Sequence, residues 1–209
     1  MPNILCFGDS NTFGTNPCGG RWSRDVRWPG ALQQRLGPAY YIIEEGLGGR
    51  TTVIEDTLEP DKNGRRHLPV ALRSHRPLDL VILMLGTNDM KHRFSLLPAD
   101  LARGAAELGT LVESYPYGPA YPVPRVMLIS PPHIGGIEQS PYTGFTAQAV
   151  ETSKKLAPLY RAVYEARGWL YLDAAQYASP SKRDGLHMEA ESHLALAEAV
   201  ERVIRRELG

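Results

Sequence analysis

The strongest structural signal in the sequence is the nearly continuous apolar stretch Leu78-Asp79-Leu80-Val81-Ile82-Leu83-Met84-Leu85. Such a run predicts a strand that is covered on both faces, as strands of parallel sheets are. Shorter apolar runs predict four more strands, over Asn3–Phe7, Tyr41–Glu45, Arg125–Ser130 and Trp169–Asp173.

Helix-like stretches separate these strands. They predict helices over Trp28–Leu36, Leu68–His75, Ala99–Ser114, Gln148–Arg167 and Ala190–Leu208. The last of these helices has an apolar side made of Leu194, Leu196, Ala197, Val200, Val203 and Ile204, with charges opposite. The alternation of strand and helix predicts an α/β protein with a parallel sheet and right-handed crossovers. No repeat or linker interrupts it, so we expect a single domain over residues 1–209.

The composition and the charge balance are those of a globular protein. Hydrophobic residues make up 43% of the chain and charged residues 22%, as in soluble globular domains. The 23 Lys and Arg residues balance the 23 Asp and Glu residues, so no net charge attracts nucleic acid or an anionic membrane. We therefore expect neither nucleic acid nor a membrane as a partner.

The cysteines and the N-terminus predict a cytoplasmic protein. Cys6 lies inside an apolar run and Cys18 in a loop rich in Gly and Pro, which does not suggest a disulfide framework. The N-terminus lacks the charged and apolar regions of a secretion signal, and no apolar run is long enough to span a bilayer.

The loop after the first predicted strand carries a candidate nucleophile. In open α/β sheets, ligands bind beyond the carboxyl ends of the strands. Ser10, in Gly8-Asp9-Ser10, lies at such an end, where its hydroxyl is presented at the sheet edge and its N–H can help to hold an oxyanion. Alternatively, Ser10 is only the N-cap of a helix. We interpret Asp9 as a structural residue that bonds the backbone of its own loop.

The next two loops offer candidate oxyanion donors. Gly49 lies in the glycine-rich segment that follows the second strand, where it can donate its N–H or simply form a tight turn. A phosphate cradle is a further alternative, but the Lys-Ser/Thr ending of a P-loop is missing. Asn88, in Gly86-Thr87-Asn88-Asp89, offers a side-chain amide, or caps the next segment in an Asx-turn.

The last loop, before the terminal helix, contains an Asp-His pair. In Asp184-Gly185-Leu186-His187, the carboxylate can orient the imidazole, whose other nitrogen then faces a nucleophile. Each residue is alternatively an ordinary helix-start residue. We expect His193 on the surface of the following helix, and its spacing from His187 does not match a His-Glu-x-x-His zinc site, so we predict no metal.

These segments together resemble, in order, the motif blocks of the SGNH (GDSL-like) hydrolase superfamily. The resemblance covers essentially the whole chain and implies a three-layer, flavodoxin-like fold with a five-stranded parallel sheet ordered 2-1-3-4-5 and helices on both faces. It implies Ser10 as nucleophile and Asp184 and His187 as its partners. It also implies an oxyanion hole made of the Ser10 and Gly49 N–H groups and the Asn88 side chain. Such enzymes need no cofactor.

A closer similarity is to the bacterial arylesterase/acyltransferase subgroup. It is carried by Val26–Trp28, Ile43–Leu47, Arg50–Thr52, Pro77–Ile82 and Met84–Asp89. The subgroup cleaves short acyl esters, including aryl acetates, and some members transfer the acyl group to alcohols or peroxide. The similarity therefore implies a small ester substrate, and, because several members form compact oligomers, a homo-oligomer.

The sequence departs from the subgroup at positions that we predict to bind substrate. Asn11 replaces the leucine of the motif, Thr15 stands where close members carry a tryptophan, and the stretch Pro131–Phe145 differs from the usual loop. We predict substrate binding by Asn11, Thr15, Trp22, His133 and Phe145. Phe13, Trp28 and Tyr142 are alternatively pocket residues or core and interface residues.

Three alternatives to an arylesterase remain open. Carbohydrate deacetylation is a second activity within the same superfamily. A non-catalytic flavodoxin-like binding module would retain flavin or nucleotide and lack a reactive serine. A cysteine hydrolase built on Cys6 is disfavoured, because a thiol inside a strand is usually inert core.

Overall fold

The computed structural model of the protein describes residues 1–138 and 140–209 and is organised around a parallel five-stranded sheet. Its strands are β1 (Asn3–Gly8), β2 (Tyr41–Gly46), β3 (Leu80–Met84), β4 (Arg125–Ser130) and β5 (Leu170–Asp173). They lie in the order β2-β1-β3-β4-β5, and every neighbouring pair is parallel. The predicted α/β class and the strand order 2-1-3-4-5 are confirmed.

Helices cover both faces of the sheet. They are α1 (Ser10–Phe13), α2 (Trp28–Leu36), α3 (Gly64–His75), α4 (Pro98–Ser114), α5 (Ala147–Ser153), α6 (Leu156–Arg167) and α7 (Ala190–Leu208). Side chains alternate along each strand, so Ile4 and Cys6 pack towards α2 and α7, whereas Leu5 and Phe7 pack towards α3 and α4. Both faces are therefore buried, which explains why the strands are nearly continuous apolar runs.

Two of the predicted helices differ from the structure by more than one residue. α3 begins at Gly64 and not at Leu68, because the side chain of Asn63 accepts the Arg65 N–H (3.0 Å) and caps the helix four residues before its first buried leucine. The predicted helix Gln148–Arg167 is in fact α5 and α6. Pro158 lies in the first turn of α6, where its missing N–H is tolerated, whereas in one unbroken helix it would lie in the interior.

His193 is buried, and its predicted surface position was wrong. It is 0% exposed between α7 and α2, where its Nδ1 accepts the backbone N–H of Trp28 (3.3 Å). Burial, and then the nearby His187, lower the pKa of His193 to about 3. Leu194, predicted on the apolar side of α7, is exposed instead. The ring of His193 therefore belongs to the core in its neutral form.

Cys6 is likewise part of the core. It is fully buried, and burial, followed by the charge of Glu44, raises the pKa of its thiol well above the ordinary value. Such a thiol is not ionised at neutral pH, which agrees with an inert core residue. Among the described residues, no helix has both the length and the apolarity required to cross a bilayer.

The buried neutral His193 predicts a specific pH dependence of stability. Its pKa is about 3 in the folded chain and 6.5 ordinarily, so between these values the unfolded chain binds more protons and stability falls as pH falls. His193→Asn keeps an acceptor for the Trp28 N–H but cannot titrate. We expect the stability of the wild type relative to His193→Asn to fall by about 1.4 kcal/mol per pH unit below about pH 6.

Urea unfolding of both proteins between about pH 7 and about pH 5 measures this difference. The buried carboxyls of Asp9 and Asp89 are present in both proteins, so their titration cancels in the comparison. A difference that stays constant across this range would contradict a neutral buried His193.

Candidate active site

The carboxyl ends of three adjacent strands bring three loops together. Gly8, the last residue of β1, pairs with Gly46 at the end of β2 and with Met84 at the end of β3. The loops that follow these ends carry Ser10, Gly48-Gly49 and Asn88. They line a cleft of about 400 Å³ together with His187. The cleft therefore lies where an open α/β sheet is expected to bind its ligand.

Ser10 is the first residue of α1, so its N–H has no partner within the helix. The side chain of Asp9 caps this helix by accepting the Asn11 N–H (3.0 Å), as predicted for Asp9. Gly8 and Gly46 allow α1 to lie directly on the strand ends. A Cβ at Gly8 would overlap the Thr12 side chain, and one at Gly46 would overlap the backbone of α1.

The Asp184–His187 turn forms an oriented acid–base pair. Oδ2 of Asp184 lies 2.7 Å from Nδ1 of His187, and Oδ1 accepts the N–H groups of Leu186 (2.9 Å) and His187 (3.0 Å). Burial opposes ionisation of Asp184, but these hydrogen bonds outweigh it and the pKa of the carboxyl lies below its ordinary value. The imidazole is thus fixed against an ionised carboxylate, which leaves Nε2 for another partner.

The loop after β2 is held by the loop after β3. Gly49 adopts a φ of +79° in a turn that is closed by a hydrogen bond from the Arg50 N–H to the Leu47 carbonyl (3.1 Å). Nδ2 of Asn88 donates to the Arg50 carbonyl (3.1 Å), and the Asp89 carboxylate accepts the N–H (3.0 Å) and the hydroxyl (2.5 Å) of Thr52. An amide has two N–H groups, so Asn88 keeps a second one for a ligand.

Arg50 ties the ends of β1 and β2 to each other. Its guanidinium is buried over the Phe7 ring and donates to the carbonyls of Gly8 (2.9 Å) and Glu45. Burial lowers the pKa of Arg50 to about 10, and it also raises the pKa of Asp9 to about 6. The guanidinium still remains a cation at neutral pH, and it supports the loop that carries Gly49.

One side of the cleft is a charged wall formed by Asp56, Glu59, Lys91 and Arg93. Nζ of Lys91 lies 2.8 Å from Glu59 and 3.5 Å from Asp56, and Arg93 pairs with both carboxylates. Glu59, Lys91 and Arg93 line the cleft. These residues were not predicted, because no motif links positions 56 and 59 to positions 91 and 93.

Another part of the cleft surface is largely apolar. Phe145 and Leu186 are buried there, and Tyr142 contacts His187 edge-on with ring centroids 5.1 Å apart. Tyr142 itself remains 40% exposed, so it covers the imidazole from the solvent side. The cleft therefore offers an apolar surface next to His187 in addition to the charged wall.

The structure brings most of the predicted site residues to this cleft. Ser10, Gly49, Asn88 and His187 line it, as do three of the predicted substrate-binding residues, Asn11, Thr15 and Phe145.

Two predicted substrate-binding residues, Trp22 and His133, are not among the residues that line the cleft. Nε1 of Trp22 donates to the Met188 carbonyl (3.1 Å) instead. Trp28 lies in the core, and Phe13 is covered by Arg21. Within residues 1–138 and 140–209, no three His, Cys, Asp or Glu side chains are grouped as metal ligands would be.

Comparison with known proteins places the chain in a family. The sequence model of the GDSL-like lipase/acylhydrolase family matches residues 6–195. The native aryl esterase of M. smegmatis is 37% identical, with a TM-score of 0.94 and 100% of both chains covered. Est24, a carbohydrate acetylesterase from Sinorhizobium meliloti, is 37% identical, with a TM-score of 0.94 and 99% of both chains covered.

More distant similarity extends only to the fold. A lipase/acylhydrolase from Enterococcus faecalis is 19% identical, with a TM-score of 0.70 and coverage of 100% of this chain and 98% of its own. The comparison with curated protein sequences gave no match.

The two glycines of the Gly48-Gly49 turn are expected to respond differently to alanine. Gly49 has a left-handed φ of +79°, whereas Gly48 does not, and a Cβ at Gly48 would meet open space. We expect Gly49→Ala to lower the free energy of unfolding by about 1–2 kcal/mol. Gly48→Ala is the matched control and should stay within about 0.5 kcal/mol of the wild type. Urea unfolding measures both, and equal losses would contradict the described turn.

Proposed function

Because the chain belongs to the GDSL-like lipase/acylhydrolase family of SGNH esterases, we propose that it hydrolyses short-chain acyl esters, especially acetyl and aryl esters, through an acyl-serine intermediate. One observation carries the proposal. Ser10 shares a cleft with a His187 that is oriented at 2.7 Å by Asp184, and with the amide groups of Gly49 and Asn88. Because the family is one of hydrolases, its match to this chain also argues against the alternative of a non-catalytic flavodoxin-like binding module.

In the proposed acylation step, Ser10 is the nucleophile and His187 the general base. His187, oriented by Asp184, takes the hydroxyl proton as Oγ attacks the ester carbonyl carbon. The resulting oxyanion is held by the N–H groups of Ser10 and Gly49 and by the Asn88 amide. Removing a single donor of this kind typically costs about 3–4 kcal/mol of transition-state stabilisation.

The intermediate then collapses and the acyl group is released. The bond between the carbonyl carbon and the alcohol oxygen breaks, and His187 returns its proton to the leaving alcohol. Water, deprotonated by His187, attacks the acyl-serine and regenerates Ser10 by the reverse sequence. Acyl transfer to an alcohol would use the same intermediate, with the alcohol in place of water.

The shape of the cleft supports a small substrate. Its volume of about 400 Å³ is at the lower end for small-molecule pockets, and its walls are partly charged. A long acyl chain would have to bury its methylene groups against apolar surface. Here the apolar side is limited to the region of Phe145, Leu186 and Tyr142, which suits an acetyl or aryl group.

The first test compares p-nitrophenyl acetate hydrolysis by the wild type, Ser10→Ala and Asn88→Ala. Loss of the nucleophile should abolish turnover in Ser10→Ala. Loss of one oxyanion donor should reduce kcat in Asn88→Ala by about 100–1,000-fold. Circular dichroism verifies that each variant is folded. Equal rates in the wild type and Ser10→Ala, or no turnover by the folded wild type, would contradict the proposal.

A second candidate activity, deacetylation of carbohydrates, is supported by the charged wall. Glu59 and Arg93 line the cleft as an acceptor and a donor side by side, an arrangement that suits vicinal hydroxyl groups. An aryl leaving group, in contrast, has no hydroxyl groups that could form hydrogen bonds with Glu59 and Arg93. The two candidates therefore differ in their dependence on Glu59.

Glu59→Gln tests this second candidate. A hydrogen bond to a charged group contributes about 1.5–3 kcal/mol, so kcat/KM for acetylated xylose should fall about 10–100-fold, whereas p-nitrophenyl acetate should be affected less than about threefold. Glu55→Gln, four residues before Glu59 and outside the cleft, is the matched control. If Glu59→Gln reduces the rates for both substrates equally, Glu59 does not recognise the sugar.

A further inference from the structure

The side chain of Asn11 is bonded to the backbone on both sides of His187. Its Nδ2 donates to the Leu186 carbonyl (3.1 Å), and its Oδ1 accepts the Met188 N–H (3.1 Å). Both hydrogen bonds are buried, and Asn11 is only 3% exposed. The amide therefore has partners at both of its ends before any substrate enters the cleft.

These two bonds have the pattern of a parallel β-bridge. In a parallel ladder, a residue donates to the carbonyl of the residue before its partner and accepts the N–H of the residue after its partner. The Asn11 amide bonds Leu186 and Met188 in the same way, on either side of His187. Such a bridge holds the backbone at the partner residue and leaves its side chain unengaged. It therefore fixes where the His187 backbone lies, while the imidazole stays available to the cleft.

Asn11 is also the covalent neighbour of Ser10. Both residues belong to α1, whose start is fixed by the Asp9 cap. The connection from Ser10 to His187 thus runs through one peptide bond and one short side chain. A second link, the hydrogen bond from Nε1 of Trp22 to the Met188 carbonyl (3.1 Å), comes from twelve residues beyond Ser10, so the separation of Ser10 and His187 depends most directly on the Asn11 amide.

Other contacts of the His187 turn act differently. The bonds from Asp184 and the hydrogen bond from the Ser181 N–H to the His187 carbonyl (2.7 Å) lie within one segment of chain. The bond from Gly135 to Gly185 (2.7 Å) connects that segment to a loop that does not carry the nucleophile. They shape the turn and orient the ring, but they do not set its distance from Ser10.

We infer that Asn11 is a positioning residue that fixes the His187 backbone relative to Ser10, so that the imidazole can reach the Ser10 hydroxyl for proton transfer. This reassigns Asn11 from the predicted substrate contact, and it rests on the proposed roles of Ser10 and His187. Proton transfer needs the two heavy atoms within about 2.6–3.2 Å. A misplacement of about 1 Å can reduce the rate by about 100-fold.

The test is the kinetics of Asn11→Ala with p-nitrophenyl acetate. We expect kcat to fall by about 100-fold with KM within about threefold of the wild type, because both ends of the Asn11 amide bond the backbone around His187 and neither is available to bind substrate. The rate of inactivation by a fluorophosphonate should fall in parallel, since it reports attack by Ser10 without deacylation. If Asn11→Ala does not fold, Asn11→Asp keeps the size and the acceptor and carries the same expectation.

Gln33→Ala is the matched control for stability. The Gln33 amide also bonds only backbone groups, donating to the Gly37 and Tyr40 carbonyls and accepting the Ile42 N–H. It lies at the beginning of β2, at the opposite end of the sheet from the cleft. We expect both variants to lose thermal stability and Gln33→Ala to retain the wild-type kcat.

The possible results separate this inference from the proposed function. A kcat for Asn11→Ala within about threefold of the wild type, or a rise in KM at constant kcat, would overturn the positioning role. An equal loss of kcat in Gln33→Ala would also overturn it, because general loosening would then explain the effect. Wild-type turnover by Ser10→Ala, measured alongside, would instead overturn the proposed function.

Discussion

The parallel pairing of β1 with β2 on one side and β3 on the other is the constraint on which the rest of the structure depends. Because Gly8 pairs with both Gly46 and Met84, the loops that leave these strands begin at the same level of the sheet. Ser10, Gly49 and Asn88 come within a few residues of the strand ends, so they converge without long connections. Arg50 reinforces this arrangement by bonding the carbonyls at the ends of β1 and β2. A shift of one residue in either pairing would move one loop along the edge and also reverse the faces of its strand.

Buried polar side chains, more than apolar packing, determine how these loops are held. Asp9, Asp89 and Asp184 are each buried and each accept backbone N–H groups from their own or a neighbouring loop. Burying a carboxylate is costly unless it is hydrogen-bonded, and here the bonds that offset the cost also fix the loop geometry. In Asp184 the hydrogen bonds outweigh burial and keep the pKa low, whereas burial prevails in Asp9 and Asp89 and raises the pKa of each to about 6. The carboxylate next to His187 is therefore the one that is held most firmly in its charged form.

Much of the fold and the core of the site could be predicted from the sequence, because they depend on local patterns. Strand β4 and helices α2 and α7 have the predicted bounds, since apolar runs and helical periodicity mark them directly. The start of α3 and the break between α5 and α6 depend on one capping asparagine and one proline, which periodicity does not register. His193 was misplaced because a histidine in a charged helix looks exposed until the packing of α7 on α2 is known. The charged wall and the two bonds of Asn11 join segments far apart in the chain, so they become visible only when the loops meet in space.

The most direct test of the central claim, that Ser10 is the nucleophile activated by His187, is to map the site of covalent labelling by a fluorophosphonate. Peptide mass spectrometry of the labelled protein identifies the modified residue, and the same reaction is run on His187→Ala. The arrangement described here predicts one label, on Ser10, and little or no labelling of the folded His187→Ala variant. A label on another residue, or equally fast labelling of His187→Ala, would contradict it.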